Sequence, residues 1–244
     1  MLNDFFSALA FLTILPVRKK EISQRILTYF PLVGFLLGII LTLVNRFLTK
    51  LFPSSITNLF ILLTLILLTG GLHIDGFADS FDGFFSGKDK GEILRIMDDP
   101  HIGTKGVVAV FFLLLFKFLI LEKLKFKYQP LILMPIISRW AMVVAINFAQ
   151  PAKNEGLGKI FTEEKDYLPR LSLSMPCLIA SLFTLGLTVF FLAFRSIILI
   201  FVCIIFIFAL LKYSNKKISG ITGDILGAIN EIAELCVLFF FLFF

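Results

Sequence analysis

GGLHIDGFADSFDGFFSGKDKGEILRIMDDPHIGTKG, residues 70–106, divides two long apolar runs and carries seven acidic residues behind a glycine pair. The rest of the chain repeats the pattern on either side, as apolar runs joined by short loops. At 58% hydrophobic residues, 16% charged residues and a mean hydropathy of +0.96, the composition lies far outside that of soluble domains. An all-α integral membrane protein is therefore expected, because a chain in lipid must satisfy its backbone groups within helices.

Seven runs long enough to approach a span lie at about Tyr29 to Asn45, Ile56 to Leu72, Val107 to Leu121, Leu131 to Ala149, Pro176 to Phe194, Ile197 to Leu211 and Ile225 to Phe244. They predict a polytopic bundle of about seven transmembrane helices with a cytoplasmic acidic segment. The apolar stretch from Asp4 to Val17 is too short to cross and ends at Pro16, so it lies in the interface or inserts partway. No internal repeat or composition break divides residues 1–244, which read as one domain.

Between the runs, fifteen cations fall on the side of the amino terminus: Arg18, Lys19, Lys20, Arg25, Lys88, Lys90, Arg95, Lys105, Lys153, Lys159, Lys165, Arg170, Lys212, Lys216 and Lys217. Six fall on the other: Arg46, Lys50, Lys123, Lys125, Lys127 and Arg195. The positive-inside rule makes this a multi-pass protein of the cell (inner) membrane, amino terminus in and carboxyl terminus out. The acidic stretch and the loops at Pro151 to Met175 and Lys212 to Gly223 then share the cytoplasm. The net charge of +6 reports this orientation and not nucleic-acid binding. Cys177, Cys203 and Cys236 sit in apolar runs without metal-type spacing and read as spectator thiols.

Asp75, Asp79 and Asp82 stand at i, i+4 and i+7, on one face of a helix beginning near His73. Clustered carboxylates repel unless a cation lies among them, and hard oxygen donors suit Mg²⁺, with Mn²⁺ as a substitute. A solvated acidic face is the alternative, but these residues abut a span and alternate with glycines. Glu92 to Met97 reads as a short amphipathic helix stopped by Pro100. Asp99 is either a fourth ligand or base, or half of a turn-forming Asp-Pro pair. His73 and His101 are each a proton acceptor, a phosphate donor or a structural hydrogen-bonder.

A second constellation is GITGDILGAINEIAE, residues 220–234. The Thr222-Gly223-Asp224 entry caps a helix, which would occupy Asp224. Capping does not account for Glu231 and Glu234, which enter the last span, where carboxylates mark function and need partners. Arg139, inside a span, or a shared metal is the expected partner. Asn147 and Asn230 read as glue between helices. No phosphate-loop, dinucleotide-loop or zinc-helix motif is present. A carboxylate-bound metal at a membrane edge points instead to phosphoryl transfer.

With FPLVG at residues 30–34, SRWAMV at 138–143, EGLG at 155–158 and SGITGDILGAINEIAEL at 219–235, these motifs keep one order along nearly the whole chain. So ordered, the chain resembles the cobalamin synthase family, the adenosylcobinamide-GDP ribazoletransferases. The resemblance implies a membrane-bound, Mg²⁺-dependent transferase. It would act on adenosylcobinamide-GDP and α-ribazole or α-ribazole 5′-phosphate, giving adenosylcobalamin or its 5′-phosphate and GMP. It implies Asp75, Asp79 and Asp82 as metal residues, Asp99, Asp224, Glu231 and His73 as catalytic residues, and His101, Lys105 and Arg139 as contacts to the phosphate-bearing partner. The family carries a basic residue where Asp98 and His101 stand. Other corrinoid-pathway enzymes and a homo-oligomer are further expected partners. Two alternatives remain: a membrane CDP-alcohol phosphotransferase, whose pattern puts Arg where Asp79 stands, and an ion-coupled transporter using Glu231 and Glu234.

Overall fold

All seven apolar runs are helical in the computed structural model, which describes residues 2–17, 23–153 and 174–243. Arg18, Lys19, Lys20, Lys159, Lys165, Arg170 and the EGLG motif lie outside the described residues. The elements in chain order are α1 (Leu2–Leu12), a 3-10 turn (Gln24–Tyr29), α2 (Phe30–Leu48), α3 (Ser54–Thr69), α4 (Leu72–Phe84) and α5 (Lys90–Met97). They continue with α6 (Thr104–Lys123), α7 (Tyr128–Phe148), α8 (Met175–Leu192), α9 (Arg195–Ile218) and α10 (Gly223–Phe243). No strand is found among the described residues.

Six units are long and apolar enough to cross a bilayer: α2 with its preceding turn, α6, α7, α8, α9 and α10. The run from Ile56 to Leu72, expected as one straight span, is broken. Its helix α3 has only 16 residues, and α4 leaves it at 89°. The cause is local: Gly70 and Gly71 both adopt left-handed φ values, 62° and 72°, which side chains with a Cβ resist. Their N–H groups close α3 by donating to the carbonyls of Leu67 and Ile66. The Ile14 N–H then donates to Leu68 O (2.9 Å), so the tail of α1 latches onto the break. Taken together α3 and α4 are long and apolar enough for a seventh, bent crossing, and the aspartate face belongs to helix α4 and not to a loop.

α7 is buried along nearly its whole length and packs on α2 and α10. A Cβ on Gly34 would stand 2.2 Å from the Pro135 carbonyl oxygen, and one on Gly38 2.7 Å from Ile132 Cα. This pair of small residues one turn apart lets two backbones touch, which is how helices associate where lipid is as apolar as leucine. By contrast α8 and α9 expose long apolar faces, including Phe190 and Phe201, and Phe194 in the turn between them is exposed as well. α1, too short to span, stops at Leu12 with Ala8 and Leu12 fully buried. The three cysteines are free.

The two ends of the bundle are tied differently. At one, the segment after α7 pairs with the turn before α10: Ile221 N–H donates to Gln150 O (2.8 Å) and Ala152 N–H to Ile221 O (2.9 Å). At the other, Glu122 accepts from Ser55 (3.0 Å) and Asn58 (2.6 Å), while Lys127 donates to Ser54 (2.9 Å) and Asn58 (2.7 Å). Lys127, outside the spans, has its pKa lowered by burial.

Candidate functional site at one end of the bundle

The first of these ends collects the acidic residues. It is made by α4 lying directly against α10. A Cβ on Gly76 would fall 2.8 Å from Asp224 Cα and 2.9 Å from its carbonyl oxygen, and one on Gly227 3.0 Å from His73 O. Two glycines thus allow backbone contact, and the aspartates of α4 meet the first turn of α10. Asp79 lies within electrostatic reach of Asp75, Asp224, Asp82 and Asp98. We predict that Gly76→Val, which cannot fit at this contact, lowers turnover at least tenfold with helical content unchanged. Gly186→Ala, where nothing lies within 4 Å, leaves turnover intact; assays of both variants in lipid check this.

Capping is divided otherwise than expected. The Thr222 hydroxyl accepts from the Ile225 N–H (3.4 Å) and donates to the Asp224 carboxylate (3.0 Å), so Thr222 caps α10 and orients Asp224.

Asp89 caps α5 by accepting from Glu92 N–H (3.1 Å), and Met97 packs against Gly83. This docks α5 beneath α4 and presents Asp98, which pairs with Lys153 at 2.5 Å and reaches both Asp79 and Asp224 electrostatically. Asp99 turns to its own loop, accepting from the backbone N–H (2.9 Å) and Nδ1 (2.8 Å) of His101. The backbone N–H and then the ring hydrogen bond from His101 hold the Asp99 carboxyl below the ordinary carboxylate range. Lys105 donates to the Phe85 carbonyl at the end of α4. Asp82 accepts from Gly103 N–H (2.7 Å) and Gly106 N–H (2.9 Å).

Glu231 and His73 lie deeper, in a second and separate cluster. Lys117 of α6 donates to Glu231 (2.5 Å) and Glu234 (2.6 Å), and Arg139 of α7 donates to Glu234 (2.5 Å) and Ser138 (2.8 Å). Asn230 donates to both glutamates at 3.3 Å, within its own helix rather than between helices. Asn147 does link two segments, accepting from Ser174 N–H (2.9 Å). Two cations face two carboxylates, and each of the four side chains is at most 5% exposed. His73, buried, is within electrostatic reach of Arg139, Glu234 and Lys117. Charge is balanced within this cluster, two cations against two carboxylates. Lys117 joins Arg139, the expected partner, as the second cation of the glutamates, and a lysine midway along an apolar run is itself a signal for such a pairing. Asp98 and Lys153 carried no comparable signal.

Among the described residues no three ligating side chains already converge on one point. The acidic end nevertheless fits a hard cation. Asp75, Asp224 and Asp98 lie within electrostatic reach of Asp79, and Lys153 pairs with only one of the four, Asp98. Mg²⁺ keeps several waters and is held by one or two carboxylates plus substrate phosphates, so a preformed cage of protein ligands is not required.

Fold and site define a multi-pass, all-α membrane protein with an acidic cluster where α4 meets the last helix, α10. Residues 4–242 match the family model described as cobalamin-5-phosphate synthase, and the chain belongs to that family. It is 36% identical over 243 residues to a Thermoanaerobacter pseudethanolicus protein named adenosylcobinamide-GDP ribazoletransferase, covering 96% of this chain and 94% of that one. Proteins of the same name from Clostridium tetani (37% over 251 residues; 98% and 95% covered) and Thermodesulfovibrio yellowstonii (34% over 255; 99% and 96%) are similarly related. No solved structure matches the chain.

Proposed function

We propose that this protein transfers the adenosylcobinamide-phosphate group of adenosylcobinamide-GDP to α-ribazole or α-ribazole 5′-phosphate. GMP is released, and the nucleotide loop of a cobalamin is closed. The family match supports the reaction, and one structural observation supports the site: α4 lies against Asp224 of α10 at Gly76, with Asp79 within electrostatic reach of both Asp224 and Asp75. In this reading the ribazole hydroxyl oxygen forms a bond to the cobinamide-linked phosphorus, the bond from that phosphorus to the GMP oxygen breaks, and the hydroxyl proton goes to a carboxylate. Asp224, oriented by Thr222, is placed to accept it. Asp75 and Asp79 would hold Mg²⁺, or Mn²⁺ in its place. Such an ion, when bound, neutralises the diphosphate and the charge developing on the leaving phosphate. Asp98, released from Lys153, would complete the carboxylate set, leaving the Lys153 ammonium free for a phosphate oxygen. The excess of loop cations at this end of the bundle favours its lying in the cytoplasm.

The test is turnover by the purified protein in lipid with adenosylcobinamide-GDP and α-ribazole. GMP and cobalamin are expected in equal amounts, with activity abolished by EDTA and restored by Mg²⁺ or Mn²⁺. A folded preparation giving no product overturns the assignment, and undiminished turnover in EDTA overturns the metal.

A further inference from the structure

We propose that Asp82 and Lys105, the third aspartate of the acidic face and the cation beside it, are positioning residues that clasp α4 to α6, and that neither holds metal or substrate. The proposal deepens the reading of the site above by dividing its aspartates into two kinds. The N-cap of α6 is Gly103, which has no side chain to cap the helix. The first turn of any helix leaves N–H groups without partners inside it. Asp82 reaches across from α4 and takes two of them, one on each oxygen: Gly103 N–H at 2.7 Å and Gly106 N–H at 2.9 Å. These are the cap and third positions, the two N–H groups that a capping box satisfies with two side chains of its own helix. Here one carboxylate from a neighbouring helix serves both, with its negative charge at the positive end of the α6 dipole.

The spacing is specific to that carboxylate. A Cβ on Gly103 would come within 2.4 Å of Asp82 Oδ1, and one on Gly106 within 2.3 Å of Oδ2. A Cβ at either position would push the Asp82 carboxylate out of this seat. The clasp is returned from the other helix, since Lys105 of α6 donates to the Phe85 carbonyl that ends α4. One helix thus has its first N–H groups satisfied, and the other its last carbonyl, by a charged side chain of its partner. The segment immediately before Gly103 carries Asp98, so the clasp fixes where Asp98 stands relative to Asp79 and Asp224. Asp75 has no such use for its carboxylate: it points from the same face of α4 with its side chain exposed.

The experiment compares Asp82→Asn, Gly106→Ala and Lys105→Met with Asp79→Asn. Melting is followed in detergent with and without Mg²⁺, and turnover is followed at 25 °C. The clasp variants are expected to melt about 2–4 °C lower without metal. They keep the Mg²⁺-induced rise in melting temperature, with its midpoint unchanged within about twofold, and lose roughly tenfold in turnover. Asp79→Asn is expected to lose the Mg²⁺-induced rise. Loss of that rise in Asp82→Asn, with metal-free melting unchanged, overturns the proposal. So does unaltered melting in Gly106→Ala, which alters no carboxylate. Full turnover in all three clasp variants shows that the contact only stabilises, and overturns the positioning role. If the unmodified protein shows no Mg²⁺ effect, the metal reading fails instead, while the metal-free melting of Gly106→Ala still decides the clasp.

Discussion

Asp79→Asn is expected to reduce turnover by on the order of 10³-fold or more, while the protein inserts and folds as before. The magnitude follows from losing a carboxylate at an ion that supplies several kcal/mol of charge stabilisation, at about 1.4 kcal/mol per tenfold in rate. Asparagine has the size and shape of aspartate, so the α4–α10 contact at Gly76 is untouched. What changes is charge. Asp79 stands within reach of four other carboxylates, Asp75, Asp224, Asp82 and Asp98, and like charges so gathered oppose folding when no cation lies among them. Removing one leaves metal-free stability unchanged or raises it. Activity and stability therefore move in opposite directions, the mark of a site whose residues are kept for function at the expense of the fold. Turnover at saturating Mg²⁺ and metal-free melting in detergent, measured on one preparation, decide the matter. Activity within tenfold of the unmodified protein would show that Asp79 is solvated acidity and nothing more. Asp75→Asn should behave alike.

Much of the architecture was legible because lipid permits so few structures. A run such as Leu131 to Ala149 has to be a helix, and the structure makes it one from Tyr128 to Phe148. The i, i+4, i+7 spacing likewise required Asp75, Asp79 and Asp82 to share a face once α4 formed. Periodicity does not report what a face touches. Asp82 obeys the same spacing as Asp75, yet its oxygens are taken by N–H groups more than twenty residues away, and that depends on α6 beginning beside α4. Gly70 and Gly71 were visible as residues that permit close approach, but a break of 89° required both to turn left-handed in succession. Asp98 and Asp99 are neighbours of one residue type, and only the docking of α5 sends one toward Asp79 and the other toward His101. Glu231 looked like the deep half of the acidic site because Asp224 lies two turns before it on a similar face. Lys117, from a helix more than a hundred residues earlier in the chain, separates the two.

Lys117→Met carries the largest expected effect on stability, a loss of about 3–5 kcal/mol, comparable with the whole margin of many folded proteins. Lys117 contacts Glu231 at 2.5 Å and Glu234 at 2.6 Å with its side chain 2% exposed. Its removal leaves two buried carboxylates facing the single charge of Arg139. Adding Glu231→Gln to Lys117→Met restores neutrality: Arg139 still pairs with Glu234, and glutamine offers Asn230 an acceptor in place of the lost carboxylate. The double variant should recover most of the loss, and a double-mutant cycle of unfolding measurements in detergent gives the coupling directly. Failure of the second substitution to rescue the first would show that charge balance is not what holds the cluster. The same cycle separates this account from a proton or ion relay through Glu231 and Glu234. A relay needs a carboxylate that exchanges its charge, so Glu231→Gln alone would abolish activity while leaving stability intact. A closed set of two cations and two anions instead makes Glu231→Gln destabilising, because Lys117 loses a partner, and the change is relieved by Lys117→Met. The cluster ties α6, α7 and α10 together through side chains of all three helices, so a stability loss in Lys117→Met that Glu231→Gln relieves is the outcome expected of charge balance.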